Sequence, residues 1–209
     1  FRREVTTVGR LAHPGIVPVY AVGEDLGIPY FAMEHIQGAT LGEVLQHLAR
    51  TANVEQLAGA DFDRALAELG APEPVGETAL FQGTWEETCL RILRDVAEAL
   101  EYSHRNGVLH RDIKPTNIML TRSGRVMLVD FGLSSDENAS ERITRSGSHV
   151  GSLPYMAPEI LNGTDRPSVA SDIYGLGVTL YEMLTLKLPF EGHTHCLLYT
   201  SDAADERNS

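Results

Sequence analysis

The octapeptide His110-Arg111-Asp112-Ile113-Lys114-Pro115-Thr116-Asn117 gathers an imidazole, two cations, a carboxylate and a carboxamide in one short stretch. Thirteen residues after Asn117 comes Asp130-Phe131-Gly132, then Ala157-Pro158-Glu159, and then Asp172 inside an apolar run. Carboxylate oxygens can take a proton from a hydroxyl or hold a hard divalent cation, and a carboxamide oxygen can share that cation. A lysine beside them can offset developing negative charge. Singly, each residue has an ordinary reading: an aspartate after a strand caps a turn, and a loop lysine is solvated. Four motifs in this order outweigh those readings together.

The elements that must position these residues are legible from pattern. Residues 1–10 read as a charged helix end with Val5 and Val8 as its apolar spacing, broken by His13-Pro14-Gly15. Ile16–Tyr20 and Ile28–Met33 read as strands, with a turn at Gly23–Gly27 between them. Thr40-Leu41-Gly42-Glu43 and Thr84-Trp85-Glu86-Glu87 are capping boxes. The first opens a helix with Val44, Leu45 and Leu48 on one face. The second opens a long helix to about Arg105, with Leu90, Leu93, Val96, Ala97 and Leu100 as the expected buried stripe and Asn106-Gly107 as its stop. Short strands are expected at Val108–His110, Asn117–Leu120 and Val126–Val129, the last two joined by a turn at Ser123-Gly124. Residues 132–156 read as a polar loop. Ser168–Thr185 reads as a helix that is apolar on nearly every face, hence buried. Residues 51–84 are rich in Ala, Gly, Pro and acids, and read as a surface insertion with a short helix from Asp61 as N-cap to Gly70 as stop.

Composition excludes several classes. Seventeen basic against twenty-nine acidic residues give a net charge of −12, which argues against nucleic acid or an anionic membrane as partner. A basic peptide substrate is compatible with that charge, although acidic surfaces mostly serve solubility. No apolar run reaches the ~18–20 residues of a membrane span. Cys89 and Cys196 form neither a disulfide framework nor a metal-ligand spacing, as expected in a reducing compartment.

The order and spacing of the motifs resemble the signature set of protein kinases, and the chain is identified as a member of the eukaryotic-like, bacterial-type serine/threonine kinases. The resemblance runs from Phe1 to about Phe190; His13–Glu24 and Leu184–Phe190 look most like the bacterial members. It implies an α+β, protein-kinase-like bilobal fold, truncated to the end of the N-lobe from the family's αC helix and a C-lobe through its αF helix. It implies transfer of the ATP γ-phosphate to Ser or Thr of protein substrates, with ATP and Mg²⁺ required. On that resemblance Asp112 orients the acceptor hydroxyl, Lys114 sits beside the γ-phosphate, and Asn117 and Asp130 are the metal ligands. The backbone of Glu34 and Ile36 meets adenine in the linker between lobes, Met33 is the gatekeeper and Met119 floors the pocket. Ser152 is expected to bridge Asp112 and Lys114, and His110 to pack in a column with Val8, Val19 and Phe131 anchored on Asp172. Arg111 implies a phosphate partner, with Thr144, Ser146 and Ser148 as candidate modified residues. Leu186 departs from the family pattern, where a helix-ending Gly is common.

The expected division is a partial N-lobe and linker over 1–36, a partial C-lobe over 37–190 carrying the 51–84 insertion, and a non-family tail over 191–209. From Cys196 the tail resembles the in-frame translation of a sequencing-library adapter. Glu4 resembles the acid that pairs with a strand lysine, and Glu159 the acid buried against a later arginine. Neither partner is in the sequence, so the isolated chain is expected to have negligible activity and marginal stability. The expected location is cytoplasmic, with room for a membrane anchor elsewhere in a parent protein. Two alternatives stand beside the active kinase. A pseudokinase scaffold should lack one of Asp112, Lys114, Asn117 and Asp130, which are all present. A small-molecule kinase fits Arg111 and the long Ser-rich loop less well.

Overall fold

The computed structural model describes residues 9, 11–26, 28–74, 76, 78–131 and 152–190. Glu4, Val5, Val8, Gly132, Thr144, Ser146, Ser148 and the tail from 191 lie outside them. Among the described residues the helices are α1 (Leu41–Thr51), α2 (Ala60–Glu68), α3 (Trp85–Arg105), α4 (Pro158–Leu161) and α5 (Val169–Thr185). The strands are β1 (Val19–Asp25), β2 (Ile28–Met33), β3 (Ala39–Thr40), β4 (Ile118–Leu120) and β5 (Val126–Leu128).

Both capping boxes close as their spacing predicts. The Thr40 hydroxyl accepts from the Glu43 amide at 3.1 Å, and the Glu43 carboxylate takes the Thr40 amide at 2.8 Å. Thr84 and Glu87 repeat the arrangement at 3.2 and 3.0 Å. Two helix ends rest on glycine. Gly107, at φ 73°, lets the Val108 amide reach Ser103 O and its own amide reach His104 O, the two bonds of a Schellman motif. Gly70 ends α2 in the same way. α5 ends on Leu186 at φ 54°, a left-handed position that a branched side chain occupies at a cost.

Two antiparallel sheets lie on either side of the linker. Among the described residues β1 pairs with β2, and β3-β4-β5 form the second sheet. β1 runs further than its sequence suggests, through Gly23 to Asp25, so the expected turn shrinks to the residues around Leu26, while Ile16 makes only an isolated bridge to Leu128. Val108–His110 is not a strand, because its amides are taken by the helix end and by Asp172.

α3 is the axis of the main core, packed on β5 on one side and α5 on the other. Its buried face is Trp85, Cys89, Ile92, Val96, Ala99 and Leu100. The helix is rotated from the expected stripe: Leu90 is 55% exposed, and Leu93 and Ala97 are only partly buried. The anchor that decides the rotation is Trp85, whose indole N–H donates to Met183 O at 3.0 Å, satisfying a carbonyl left open by the end of α5. Burial pushes the Cys89 thiol up to about 12, so it is an inert apolar filler.

Residues 51–84 do not lie on the surface throughout. Phe62 and Leu66 of α2 are fully buried, and the Phe62 ring stacks on Trp85 at 4.4 Å and on Phe81 at 6.1 Å. α2 starts from Gly59 rather than capping on Asp61, whose carboxylate instead takes the Ala58 amide. Asp63 ties it to Arg122 by two hydrogen bonds of 2.9 and 3.1 Å. The helix is short, its apolar face is only Phe62, Ala65 and Leu66, and its aromatic partners are distant in sequence, so composition alone misreads it.

Candidate active site

Residues 110–117 form the loop between α3 and β4, and one buried carboxylate shapes its beginning. Asp172, near the start of α5, has a side chain 1% exposed. Its oxygens accept from the His110 amide at 2.9 Å, the Arg111 amide at 2.7 Å and His104 Nε2 at 2.7 Å. Arg111 is thereby held at φ 68°, a left-handed conformation a non-glycine residue does not adopt freely. Gly175, one turn along α5, lets the helix approach this loop: a Cβ there would sit 2.9 Å from Ile113 O.

His110 is a structural residue. It is fully buried, and its Nε2 donates to Val129 O at 3.0 Å, leaving Nδ1 to face the Asp112 amide at 3.4 Å. This places the proton on Nε2, in keeping with desolvation, which pulls the imidazole below its ordinary value despite Asp172 nearby. Its ring lies 4.6 Å from that of Phe131. Of the expected column, Val19 packs only at the edge of the core.

Beyond this anchor the polar residues converge. Lys114 Nζ donates to Asp112 Oδ2 and to Ser152 Oγ, both at 2.6 Å. Asn117 Nδ2 donates to Asp112 O at 2.8 Å and Asp112 Oδ2 at 3.0 Å. Ser152 thus contacts the lysine and does not bridge lysine and aspartate as its position suggests. The Asp112 carboxylate is fixed by two donors while its side chain stays 35% exposed. With the Asn117 amide nitrogen engaged by Asp112, its carbonyl oxygen remains for another partner. Across the loop, Val129 N–H donates to Asn117 O at 3.0 Å, which brings the start of the Asp130 segment against Asn117. Asp130 is exposed at φ 58°, a second left-handed residue. An exposed carboxylate and a carboxamide oxygen on segments joined by that backbone bond are oxygen donors of the kind suited to Mg²⁺, which keeps several non-protein ligands.

The linker residues gather less tightly. Ile36 and Met119 pack together on Val17, Met127 and Val129, forming an apolar floor beside the linker. Met33 is 41% exposed at the end of β2. The Glu34 amide donates to Pro18 O at 3.0 Å, and its carboxylate grips Arg125. Two residues escaped sequence reasoning: His104, whose only signal is a histidine in the last turn of a helix six residues before His110, and Arg125, which no motif marks.

A protein kinase domain model matches residues 1–207, and the chain belongs to the protein kinase family. It is 34% identical over 196 residues to serine/threonine-protein kinase PknB of Mycobacterium leprae, covering 92% of this chain and 26% of that protein. It is 34% identical over 194 residues to serine/threonine-protein kinase PrkC of Bacillus subtilis, covering 93% and 24%. The chain therefore spans about a quarter of the length of these relatives. The crystal structure of the Mycobacterium tuberculosis PknI kinase domain superposes with a TM-score of 0.57 at 28% identity, covering 91% of this chain and 58% of that one. Among the described residues no helix is long and apolar enough to cross a membrane.

Proposed function

We propose that this chain is the substrate-binding and metal-binding part of a serine/threonine protein kinase that moves the γ-phosphate of ATP to a protein hydroxyl. The observation that carries the reading is the Asp112 carboxylate clamped by Lys114 and Asn117 yet open to solvent. An acceptor hydroxyl brought to that carboxylate is oriented by it and loses its proton toward it as the new O–P bond forms and the bond from the γ-phosphorus to the bridging oxygen breaks, with ADP leaving. Lys114, already 2.6 Å from the carboxylate, offsets negative charge on the transferred group. Asn117 and Asp130 would hold Mg²⁺, which when bound neutralises phosphate charge. The backbone of Glu34 and Ile36, above the Ile36 and Met119 floor, would take the adenine, with Met33 at its rear edge. The substrates are proteins bearing a Ser or Thr acceptor, and a hydroxyl at Ser152 touching Lys114 is the feature that favours them.

The test is Asp112→Asn in the full-length protein, measured by autophosphorylation and by transfer to a generic basic protein. The carboxamide preserves shape and the Asn117 contact to the main chain while removing the proton acceptor. Loss of transfer by about 10²–10⁴ is expected, with folding retained. Activity within tenfold of the unsubstituted protein would remove Asp112 from this role.

A further inference from the structure

The linker is attached to the large lobe by more than its covalent chain. Arg125 immediately precedes β5, and its guanidinium donates through Nη1 to Glu34 Oε1 at 2.6 Å and through Nη2 to Glu34 Oε2 at 3.0 Å. This two-point fork joins residues 91 apart in sequence. The Glu34 side chain is 23% exposed and that of Arg125 46%, so the pair sits on the edge of the site rather than fully in water.

Both ends are held independently. The Arg125 amide donates to Thr121 Oγ1, and its carbonyl accepts from the Thr121 amide, each at 3.1 Å. Gly124, at φ 84°, makes that tight turn possible. The Glu34 amide is bonded to Pro18 O. Alternation along a strand puts Arg125, Met127 and Val129 on one face. Met127 and Val129 are the residues on which Ile36 rests. Linker residues 34 and 36 therefore dock on one face of β5, the first ionically and the second by apolar contact. The fork also holds the Glu34 carboxyl below the usual carboxylate range, so the pair is fully ionised at neutral pH.

Along the same strand, Val129 leads directly to Asp130, and β4, paired with β5, begins beside Asn117. The face of β5 thus ties the linker to the segment that presents both candidate metal ligands. We propose that Arg125 is a positioning residue that sets nucleotide affinity by fixing the linker, through Glu34, in register with Asn117 and Asp130. The inference rests on the kinase reading above and adds a residue that touches neither nucleotide nor acceptor. Its action is on the backbone of Glu34 and Ile36, and the chemistry at Asp112 does not pass through it.

The experiment is Arg125→Gln and Arg125→Lys in the full-length protein, with ATP as the varied substrate, alongside direct titration of ATP binding and thermal melting. For Arg125→Gln we expect KM for ATP and the ATP dissociation constant to rise together by about twofold to fivefold, the range such an ion pair supplies. kcat should stay within twofold. Arg125→Lys keeps the charge but not the fork, so it should recover only part of the loss. Pairing Arg125→Gln with Glu34→Gln should add little to either change alone, because the single interaction is already gone. Arg94→Gln, on the exposed face of α3, is the control and should change neither constant. Unchanged ATP affinity in Arg125→Gln, or a change confined to kcat, overturns the proposal while leaving the kinase reading intact. Failure of the unsubstituted protein to bind ATP sinks the kinase reading itself.

Discussion

Replacing Asp172 with Asn tests the chain of reasoning from burial to catalysis. The aspartate serves three donors from a position almost closed to solvent: the amides of His110 and Arg111 and the Nε2 of His104. Asparagine fills the same volume but converts one oxygen into a donor. Whichever way the carboxamide turns, at least one buried N–H loses its acceptor, costing about 1–3 kcal/mol. The two surviving bonds lose their charge assistance, about 1 kcal/mol each by the difference between charged and neutral hydrogen bonds. The sum is roughly 3–5 kcal/mol against a total stability of about 5–15 kcal/mol. Urea denaturation of the full-length protein should show the midpoint fall with an unchanged slope. Release of Arg111 from φ 68° should also shift Asp112, so the folded variant at low temperature should lose at least tenfold in kcat with little change in KM for ATP. A stability loss below about 1 kcal/mol, or full activity in the folded variant, would refute the idea that Asp172 holds this loop.

Three further outcomes follow from packing and titration. Trp85→Ala removes the indole that stacks on Phe62 and leaves Met183 O without its donor, so a loss of about 3–5 kcal/mol is expected in the same denaturation assay. Leu186→Gly relieves a left-handed branched residue at the end of α5 and should raise the melting temperature by a few degrees, worth at most about 1 kcal/mol because some apolar contact is lost; a lower melting temperature would show that packing dominates there. Burial pulls the His110 imidazole below its ordinary value near 6.5. The unfolded chain then binds the proton more readily, so stability is full above about pH 6.5 and falls as the pH drops below it. Glu182, pushed up by burial although the Tyr155 hydroxyl pulls it down, acts with the opposite sign in the carboxylate range. A urea midpoint that stays flat or rises between pH 7.5 and 6 would contradict the His110 assignment.

Much of this protein can be read from local pattern. Thr40 with Glu43 and Thr84 with Glu87 announce two helix starts because a capping box is complete within four residues. Gly70 and Gly107 announce two helix ends because few other residues accept their backbone conformation. Asp112, Lys114 and Asn117 belong to one short loop, so their convergence needs only that loop to be held. The rotation of α3 is not legible in the same way: the apolar residues at 89, 90, 92 and 93 allow two stripes, and the bond from Trp85 to Met183, ninety-eight residues away, selects one. α2 reads as surface from its composition, but Phe62 finds Trp85 and Phe81, which lie beyond any local window.

The loop beginning His110-Arg111-Asp112 was thus determined by the sequence in its membership and spacing. The tertiary structure alone decided its shape. Three donors on Asp172, from elements 61 to 68 residues away, hold Arg111 left-handed and direct Asp112 toward Lys114 and Asn117. Likewise Glu34 was marked by its place in the linker, but the fork from Arg125 exists only because the turn into β5 brings that side chain back across the chain to meet it. Local chemistry depends on neighbours in sequence, whereas a buried charge and its donors depend on which distant segments exclude water together.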